Sequence, residues 1–313
     1  MRIVSLLPSA TEILALIGAK DMLVGRSHEC DFPPEILKLP TVTNSQLVFQ
    51  SSAQIDQAVR ESSKAGIDLY AVDADLLTAL KPDLIITQGL CSVCSIDGTK
   101  VHQIVRRMEV RPKILELSPN TLEDVLQNVE QVGEAVGLTD RAADVKLYLK
   151  KRIELATKTA EEGRKKSVHP VNVAFLEWLN PLYIGGHWTP QLIEMAGGEQ
   201  KLHNTARQKE VGFKSYAISQ EAVTQSDPDA IIIAPCGLDL GATETEIANL
   251  VHDQDSEWSR WFCELRAVKG KRVALVDGSQ MFNRPGPRLV DALEWLSSFL
   301  YPDAQQLNPI RSR

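Results

Sequence analysis

The side chains with the most chemical reach fall into a few short clusters. His28-Glu29-Cys30 joins an imidazole, a carboxylate and a thiol, and Cys91-Ser92-Val93-Cys94 places two thiols at C-x-x-C spacing. Two sulfurs at that spacing can hold one ion, and His28 and Cys30 would complete a tetrahedral Cys₃His set suited to zinc or iron. A C-x-x-C that follows a strand and precedes a helix also reads as a redox thiol motif, because the helix N-terminus lowers the thiol pKa. Small, buried, reduced thiols are the third reading of the same residues. A zinc ribbon is excluded, since there is no second Cys pair.

A different set of residues suits a large planar ligand. Trp178, Trp188 and Phe282 offer flat apolar walls, while His28, Gln88 and Arg284 can meet amide or carboxylate edges. Pro8 and Ser9 follow a strand, with free helix N–H groups just behind them. Gly89 follows Gln88, and Gly186 and His187 sit in Gly185-Gly186-His187-Trp188. Aromatic residues are 5% of the chain, so three of them at such positions stand out; core packing is the alternative for each Trp. His169, His203 and His252 have no partners nearby in sequence and are expected at the surface. There is no Walker A sequence, no G-x-G-x-x-G and no G-x-S-x-G, so those nucleotide-binding and hydrolase readings fare worse, and a metal- or thiol-dependent enzyme stands as the runner-up to a binding role.

These residues need elements to carry them, and short apolar runs alternate with helical-period stretches. Strands are expected at residues 2–7, 22–25, 82–87 and 113–117, with helices at 53–64, 75–80, 101–108 and 121–136. Ser9 reads as the N-cap of a helix ending at Gly18, with Glu12 completing a capping box. The scheme repeats later. Strands are expected at 171–176, 229–234 and 271–276, and helices at 190–196, 219–225 and 287–300. Leu80-Lys81-Pro82-Asp83-Leu84-Ile85-Ile86 and Ser226-Asp227-Pro228-Asp229-Ala230-Ile231-Ile232 share one pattern of helix end, Pro-Asp and buried strand. Residues 140–166 lack Pro and, before Gly163, Gly, and are rich in helix formers. One long helix of roughly 38 Å follows from the 1.5 Å rise per residue.

The expected class is therefore α/β: two Rossmann-like lobes with parallel sheets, residues 1–138 and 168–313, joined by a single backbone helix over 139–167. The chemistry-bearing residues follow strand carboxyl ends, where open α/β sheets bind ligands. That placement predicts a ligand cleft between the lobes.

Bulk properties remove other classes. At 313 residues, two domains are expected. The formal net charge is −7, without the basic footprint of a nucleic-acid binder. The longest apolar runs are strand-sized, so no membrane insertion is expected. Five cysteines, an odd number, argue against a disulfide framework and for a reducing compartment. Met1-Arg2-Ile3-Val4 enters directly into a strand, which reads as cytoplasmic, or as periplasmic where a leader has been removed.

The arrangement resembles the helical-backbone (class III) substrate-binding proteins of ABC transporters, and within them the cobalamin (vitamin B12)-binding branch. The resemblance rests on Arg2-Ile3-Val4-Ser5-Leu6-Leu7-Pro8-Ser9-Ala10-Thr11-Glu12, Val24-Gly25-Arg26-Ser27-His28-Glu29-Cys30-Asp31-Phe32-Pro33, Leu80-Lys81-Pro82-Asp83-Leu84-Ile85-Ile86-Thr87, and Gly185-Gly186-His187-Trp188 through Ala196-Gly197-Gly198. The motifs occur in order along essentially the whole chain; residues 51–73 and the thiol-rich clusters depart from the pattern. The resemblance implies a non-enzymatic protein that holds cobalamin or a related corrinoid and delivers it to an ABC transporter permease. A haem or siderophore is the alternative ligand. Asp97 and the carboxylates at 244–246 would then be surface groups that dock on the importer.

Overall fold

The computed structural model describes residues 1–45, 51–65, 69–89, 98–253 and 255–302. Two compact units emerge. The first comprises Met1–Gln50, Gln54–Pro119 and Glu123–Leu149; the second comprises Ser51–Ala53, Asn120–Leu122 and Lys150–Arg313. Up to the long helix the elements are β1 (Ile3–Ser5), α1 (Pro8–Leu16), β2 (Leu23–Arg26), β3 (Thr43–Ser45), α2 (Ser52–Ala65), β4 (Tyr70–Val72), α3 (Ala74–Ala79), β5 (Leu84–Gln88), α4 (Gly98–Arg107), β6 (Lys113–Leu117), α5 (Leu122–Val136) and α6 (Thr139–Lys165). After it come β7 (Val171–Leu179), β8 (Leu182–Ile184), α7 (Thr189–Met195), β9 (Gly198–Glu199), α8 (Thr205–Val211), β10 (Tyr216–Ala217), α9 (Gln220–Ser226), β11 (Ala230–Ile233), α10 (Leu240–His252), α11 (Glu257–Glu264), α12 (Arg266–Lys269), β12 (Val273–Leu275), α13 (Gly278–Met281) and α14 (Leu289–Leu300).

In the first unit, β2-β1-β5-β6 form an all-parallel sheet. Ile3, Val4, Ile85 and Ile86 are fully buried in it. Helices on both faces leave such strands no polar side, which is why they read as continuous apolar runs. β3 and β4 pair antiparallel as a separate ribbon. The start of α1 differs from expectation. Pro8 occupies the first turn and Leu7 is the cap residue, with no side-chain cap bond. A proline ring presets the helical φ and has no N–H to leave unsatisfied, so it displaces Ser9 from the cap position.

The second unit has a sheet in the order β10-β8-β7-β11-β12, with β9 pairing beside β7. β7, β11 and β12 are parallel, as expected; β8 and β10 extend the sheet antiparallel. β7 runs three residues past the expected end at 176, because the chain turns at Asn180-Pro181 and β8 folds back on it. One side of this sheet packs Ala174, Leu176, Ile231 and Ile233 with Phe262 and Leu265.

The repeated Pro-Asp pattern has one structural meaning in both units. Lys81 and Asp227, each just after a helix, take left-handed φ values of 46° and 45°. The following Asp then ties the neighbouring strand. Asp83 accepts from the Arg2 N–H at 2.6 Å, and Asp229 from the Asn172 N–H at 2.8 Å. Each Asp also donates its own N–H to the carbonyl of that same partner residue.

α6 spans 27 residues. Its residues up to Leu149 belong to the first unit, where a Cβ on Gly133 of α5 would meet the Ala142 Cβ at 2.2 Å. Its residues from Lys150 belong to the second, where Arg152 makes hydrogen-bonded ion pairs with Asp291 and Glu294 of α14. Among the described residues, no helix is long and apolar enough to cross a membrane.

The Asp229 tie generates a pH dependence. Burial pushes its carboxyl upward, but the Asn172 N–H and the Arg266 guanidinium outweigh that and hold it below the ordinary carboxylate value. A carboxylate with a depressed folded value stabilises the native state above its unfolded value, and that contribution fades as pH falls through the folded one. Asp229→Ala is expected to lower the urea unfolding free energy by about 1–2 kcal/mol at pH 7. The difference from the parent is expected to shrink progressively below about pH 4.

Candidate functional site

At the carboxyl edge of the first unit, Pro8 and Ser9 open α1 directly after β1, with Ser9 buried. The His28 N–H donates to Thr43 Oγ1 at 2.9 Å, and the same hydroxyl lies 2.7 Å from the His28 Nδ1. The ring stacks on Tyr70 at 5.6 Å, and its Nε2 is 3.4 Å from Glu29. Thr43 and Tyr70 come from the β3–β4 ribbon, so that ribbon sets the imidazole plane. Gln88 ends β5. Gly89 is closely overlaid: a Cβ there would lie 3.1 Å from Ser118 Oγ and 3.5 Å from Glu116 Oε2.

The thiol set is distributed differently. Cys30 is buried, and its Sγ accepts from Thr11 Oγ1 at 3.1 Å and lies 3.9 Å from the Ser5 carbonyl. Those contacts point the sulfur at the β1–α1 junction. Cys91 and Cys94 lie outside the described residues. Among the described residues, no group of three or more His, Cys, Asp or Glu side chains could hold a metal ion.

The second unit gathers more of the candidates. Its edge begins with a β-bulge, where the register of β7 against β8 shifts between Leu176 and Trp178. Bulges re-aim side chains at functional edges. Here the bulged residue, Glu177, accepts from Ser215 Oγ at 2.5 Å, and its carbonyl accepts from the Cys236 N–H. Trp178 is partly exposed and donates its indole N–H to the Ser52 carbonyl at 3.1 Å. Glu246 of the expected surface group is instead buried, accepting from the Ser52 N–H at 2.9 Å and from the Ser52 hydroxyl.

The 185–188 loop is held from every side. Gln200, fully buried, accepts from the Phe175 N–H and donates to the carbonyls of Gly185 and His203 at 3.0 and 2.8 Å. The Gly186 N–H donates to Ser215 Oγ at 3.0 Å. A Cβ on Gly186 would lie 2.5 Å from both the Phe213 oxygen and the Ser215 nitrogen, so only glycine fits there. His187 has a φ of 51°, which a non-glycine residue adopts only under constraint. Its N–H donates to the Phe213 carbonyl, and its carbonyl accepts from Gln208 Nε2 at 2.7 Å. Burial, reinforced by Lys214, lowers the pKa of its imidazole.

Trp188 and Phe282 lie deeper than a contact wall requires, at 7% and 1% exposure. The Trp188 indole donates to the Phe282 carbonyl at 2.6 Å, and the Phe282 ring meets Phe175 edge-on at 4.8 Å. Arg284 is partly buried in the segment after α13. Nearby, Asn283 Nδ2 donates to the Ala234 carbonyl at 3.2 Å, closing the carboxyl end of β11. The expectation of surface histidines holds for His169 and His252 and fails for His203, which is fully buried. Gln200, Gln208, Ser215, Thr43 and Tyr70 escaped the sequence reading. A single polar residue that bonds the backbone leaves no periodicity or motif to find.

Two α/β units that share one long helix, with imidazoles and an indole at strand carboxyl ends, have the architecture of a helical-backbone solute-binding protein. The chain belongs to the periplasmic binding protein family, whose model matches residues 3–279. It is 25% identical over 302 residues to a vitamin B12-binding protein of Vibrio cholerae, covering 96% of this chain and 88% of the relative. It is 27% identical over 309 residues to an uncharacterized ABC transporter substrate-binding lipoprotein of Bacillus subtilis (strain 168), covering 96% and 80%. Among solved structures, the apo form of a periplasmic haem-binding protein from Roseiflexus sp. RS-1 superposes with a TM-score of 0.69 at 21% identity, covering 97% of this chain and 99% of that one.

The tight seat of the loop is open to a direct test. Gly186→Ala is expected to cost about 1–3 kcal/mol in urea denaturation, the range of overpacking a closed site. Gly212→Ala gives the contrasting case: a Cβ there meets nothing within 4 Å, so only its left-handed backbone is strained.

Proposed function

We propose that this chain is the substrate-binding component of an ABC importer and that its ligand is a tetrapyrrole, cobalamin or a related corrinoid. The observation that carries the reading is the match to the Vibrio cholerae vitamin B12-binding protein across 96% of the chain. The Bacillus subtilis lipoprotein supports an importer permease as partner and an exported, periplasmic-side location. The reading assigns no catalysis to the chain. Its zinc or iron cluster of His28, Cys30, Cys91 and Cys94 is the weaker alternative, because the Cys30 sulfur faces Thr11 and Ser5.

The edge chemistry supports a flat ligand with a polar rim. Trp178 supplies a partly exposed indole, and Ser215 links the Gly186 N–H of the strained 185–188 loop to Glu177, the residue before Trp178. Trp188 and Phe282 act behind this surface, as packing that fixes the loop. His28 and Gln88, with Pro8, Ser9 and Gly89, are the polar and backbone contacts proposed on the first unit, and Arg284 on the second. Haem is the second reading, favoured by the likeness to the Roseiflexus haem-binding fold.

Calorimetric titration of apo-protein with hydroxocobalamin and with haemin tests the proposal. One of the two is expected to bind more tightly than about 100 μM, equivalent to about −5.5 kcal/mol. Trp178→Ala is expected to weaken that binding at least tenfold. Absence of binding by both ligands overturns the reading.

A further inference from the structure

The 185–188 loop carries one imidazole, His187, and is tied through Gln200 to a second, His203. His203 is 0% exposed, and its ring nitrogens make no well-aligned hydrogen bond, although the Phe213 carbonyl is near enough to favour the charged ring. Its ring stands edge-on to Tyr216 of β10 at 4.9 Å. The Nδ1 of His187 is likewise buried and without a partner. Polar groups left this way in a native interior are uncommon, and each calls for an explanation.

The backbone couples both residues to the loop. Gln200 donates to the His203 carbonyl and to the Gly185 carbonyl, so residues 185 and 203 share one buried amide anchor. Gln208 of α8 donates to the His187 carbonyl, and Asn204, next to His203, caps the same helix. The two histidines thus sit at the two ends of one hydrogen-bonded frame.

The charges around the pair are cationic. Arg207 of α8 lies over the Tyr216 ring at 5.9 Å, and its charge disfavours a proton on His203; Lys214, in the segment before β10, does the same for His187. A charge on His187 also disfavours one on His203. The Tyr216 hydroxyl donates to the Leu202 carbonyl. Two carboxylates of the same unit are engaged in other bonds: Glu194 of α7 accepts from the Thr205 N–H and hydroxyl, and Glu177 of β7 accepts from Ser215. A proton arriving on His203 meets the repulsion of Arg207, and the Phe213 carbonyl that favours it carries no full charge to offset burial. A buried, unpaired cation is strongly disfavoured, so the protonated ring is stable only in water.

We propose that His203 and His187 form an acid-sensitive latch on the 185–188 loop: protonation of the buried pair drives it from its seat and frees the loop. The link to ligand release rests on the ligand role proposed above for that loop; the opening itself does not. The direction follows from linkage. Burial, then Arg207, lower the His203 pKa, against the opposite pull of the Phe213 carbonyl, and burial, then Lys214, lower that of His187. The open form therefore binds more protons. The closed loop keeps its full stability above the ordinary imidazole value of about 6.5 and loses it progressively as pH falls below.

Hydrogen exchange of the full chain at pH 7.5 and 5.5, corrected for intrinsic rates, tests the latch. Protection of the amides at 185–188 and 203–216 is expected to fall roughly tenfold or more on acidification, one protonated imidazole accounting for about tenfold. Protection of Ile231, Ile232 and Ile233 in β11 is expected to hold. The loss is expected to shrink in His203→Phe and to vanish in the double variant with His187→Gln. Unchanged loop protection in the wild-type chain overturns the latch whether or not either variant folds, as does an undiminished loss in the double variant. Hydroxocobalamin and haemin are titrated at both pH values in parallel. Failure of both to bind overturns the tetrapyrrole reading and leaves the latch to the exchange data.

Discussion

The second unit's edge depends on one buried side-chain amide. Gln200 faces three backbone groups that no strand or helix satisfies: the Phe175 N–H, the Gly185 carbonyl and the His203 carbonyl. On this edge of β7, β9 pairs Val171 and Asn172 and β8 pairs from Leu176 onward, so Phe175 falls between the two ladders while still fully buried. Buried polar groups without partners cost about 1–3 kcal/mol each. A side chain with one acceptor and two donors is the smallest device that serves all three at once. The loop's unusual features follow from that anchor. Gly186 passes too close to the 213–215 backbone for any Cβ, and His187 is forced into left-handed φ to follow it.

Much of the architecture was legible because it rests on long-range patterns. Leu84, Ile85 and Ile86, and Ala230, Ile231, Ile232 and Ile233, are unbroken apolar runs because their strands are covered on both faces. The expected helix over 140–166 differs from Thr139–Lys165 by one residue at each end, since nothing in that stretch competes with helix formation. The paired Pro-Asp pattern was visible, but its cause was not. Only the structure reveals that each Asp pins the adjacent strand.

The candidate site was less legible, because its residues act through the backbone. Trp188 and Phe282 have the composition of a ligand wall, yet each closes a gap in the core. Side-chain type cannot separate these roles; only the direction of the side chain does. The reverse holds for His203, which reads as an isolated surface histidine and lies fully buried. The antiparallel strands β8 and β10 are three and two residues long, too short to announce themselves by alternation. The 185–188 loop owes its position to both.

Shape and selectivity are consequently carried by different residues. The loop conformation is over-determined by Gln200, Gln208, Ser215 and the Phe213 carbonyl, so little is left to be ordered when something binds against it. That rigidity sets shape alone, and a partly exposed indole such as Trp178 accepts any flat ring. In the proposed tetrapyrrole role, discrimination among flat ligands falls to charge and hydrogen bonding at their rims. A neutral amide periphery suits Gln88, whereas carboxylates suit a guanidinium such as Arg284. On the proposed ligand role, substitutions at Gln88 or Arg284 change what is bound, while the strained loop, held by buried partners, keeps its form.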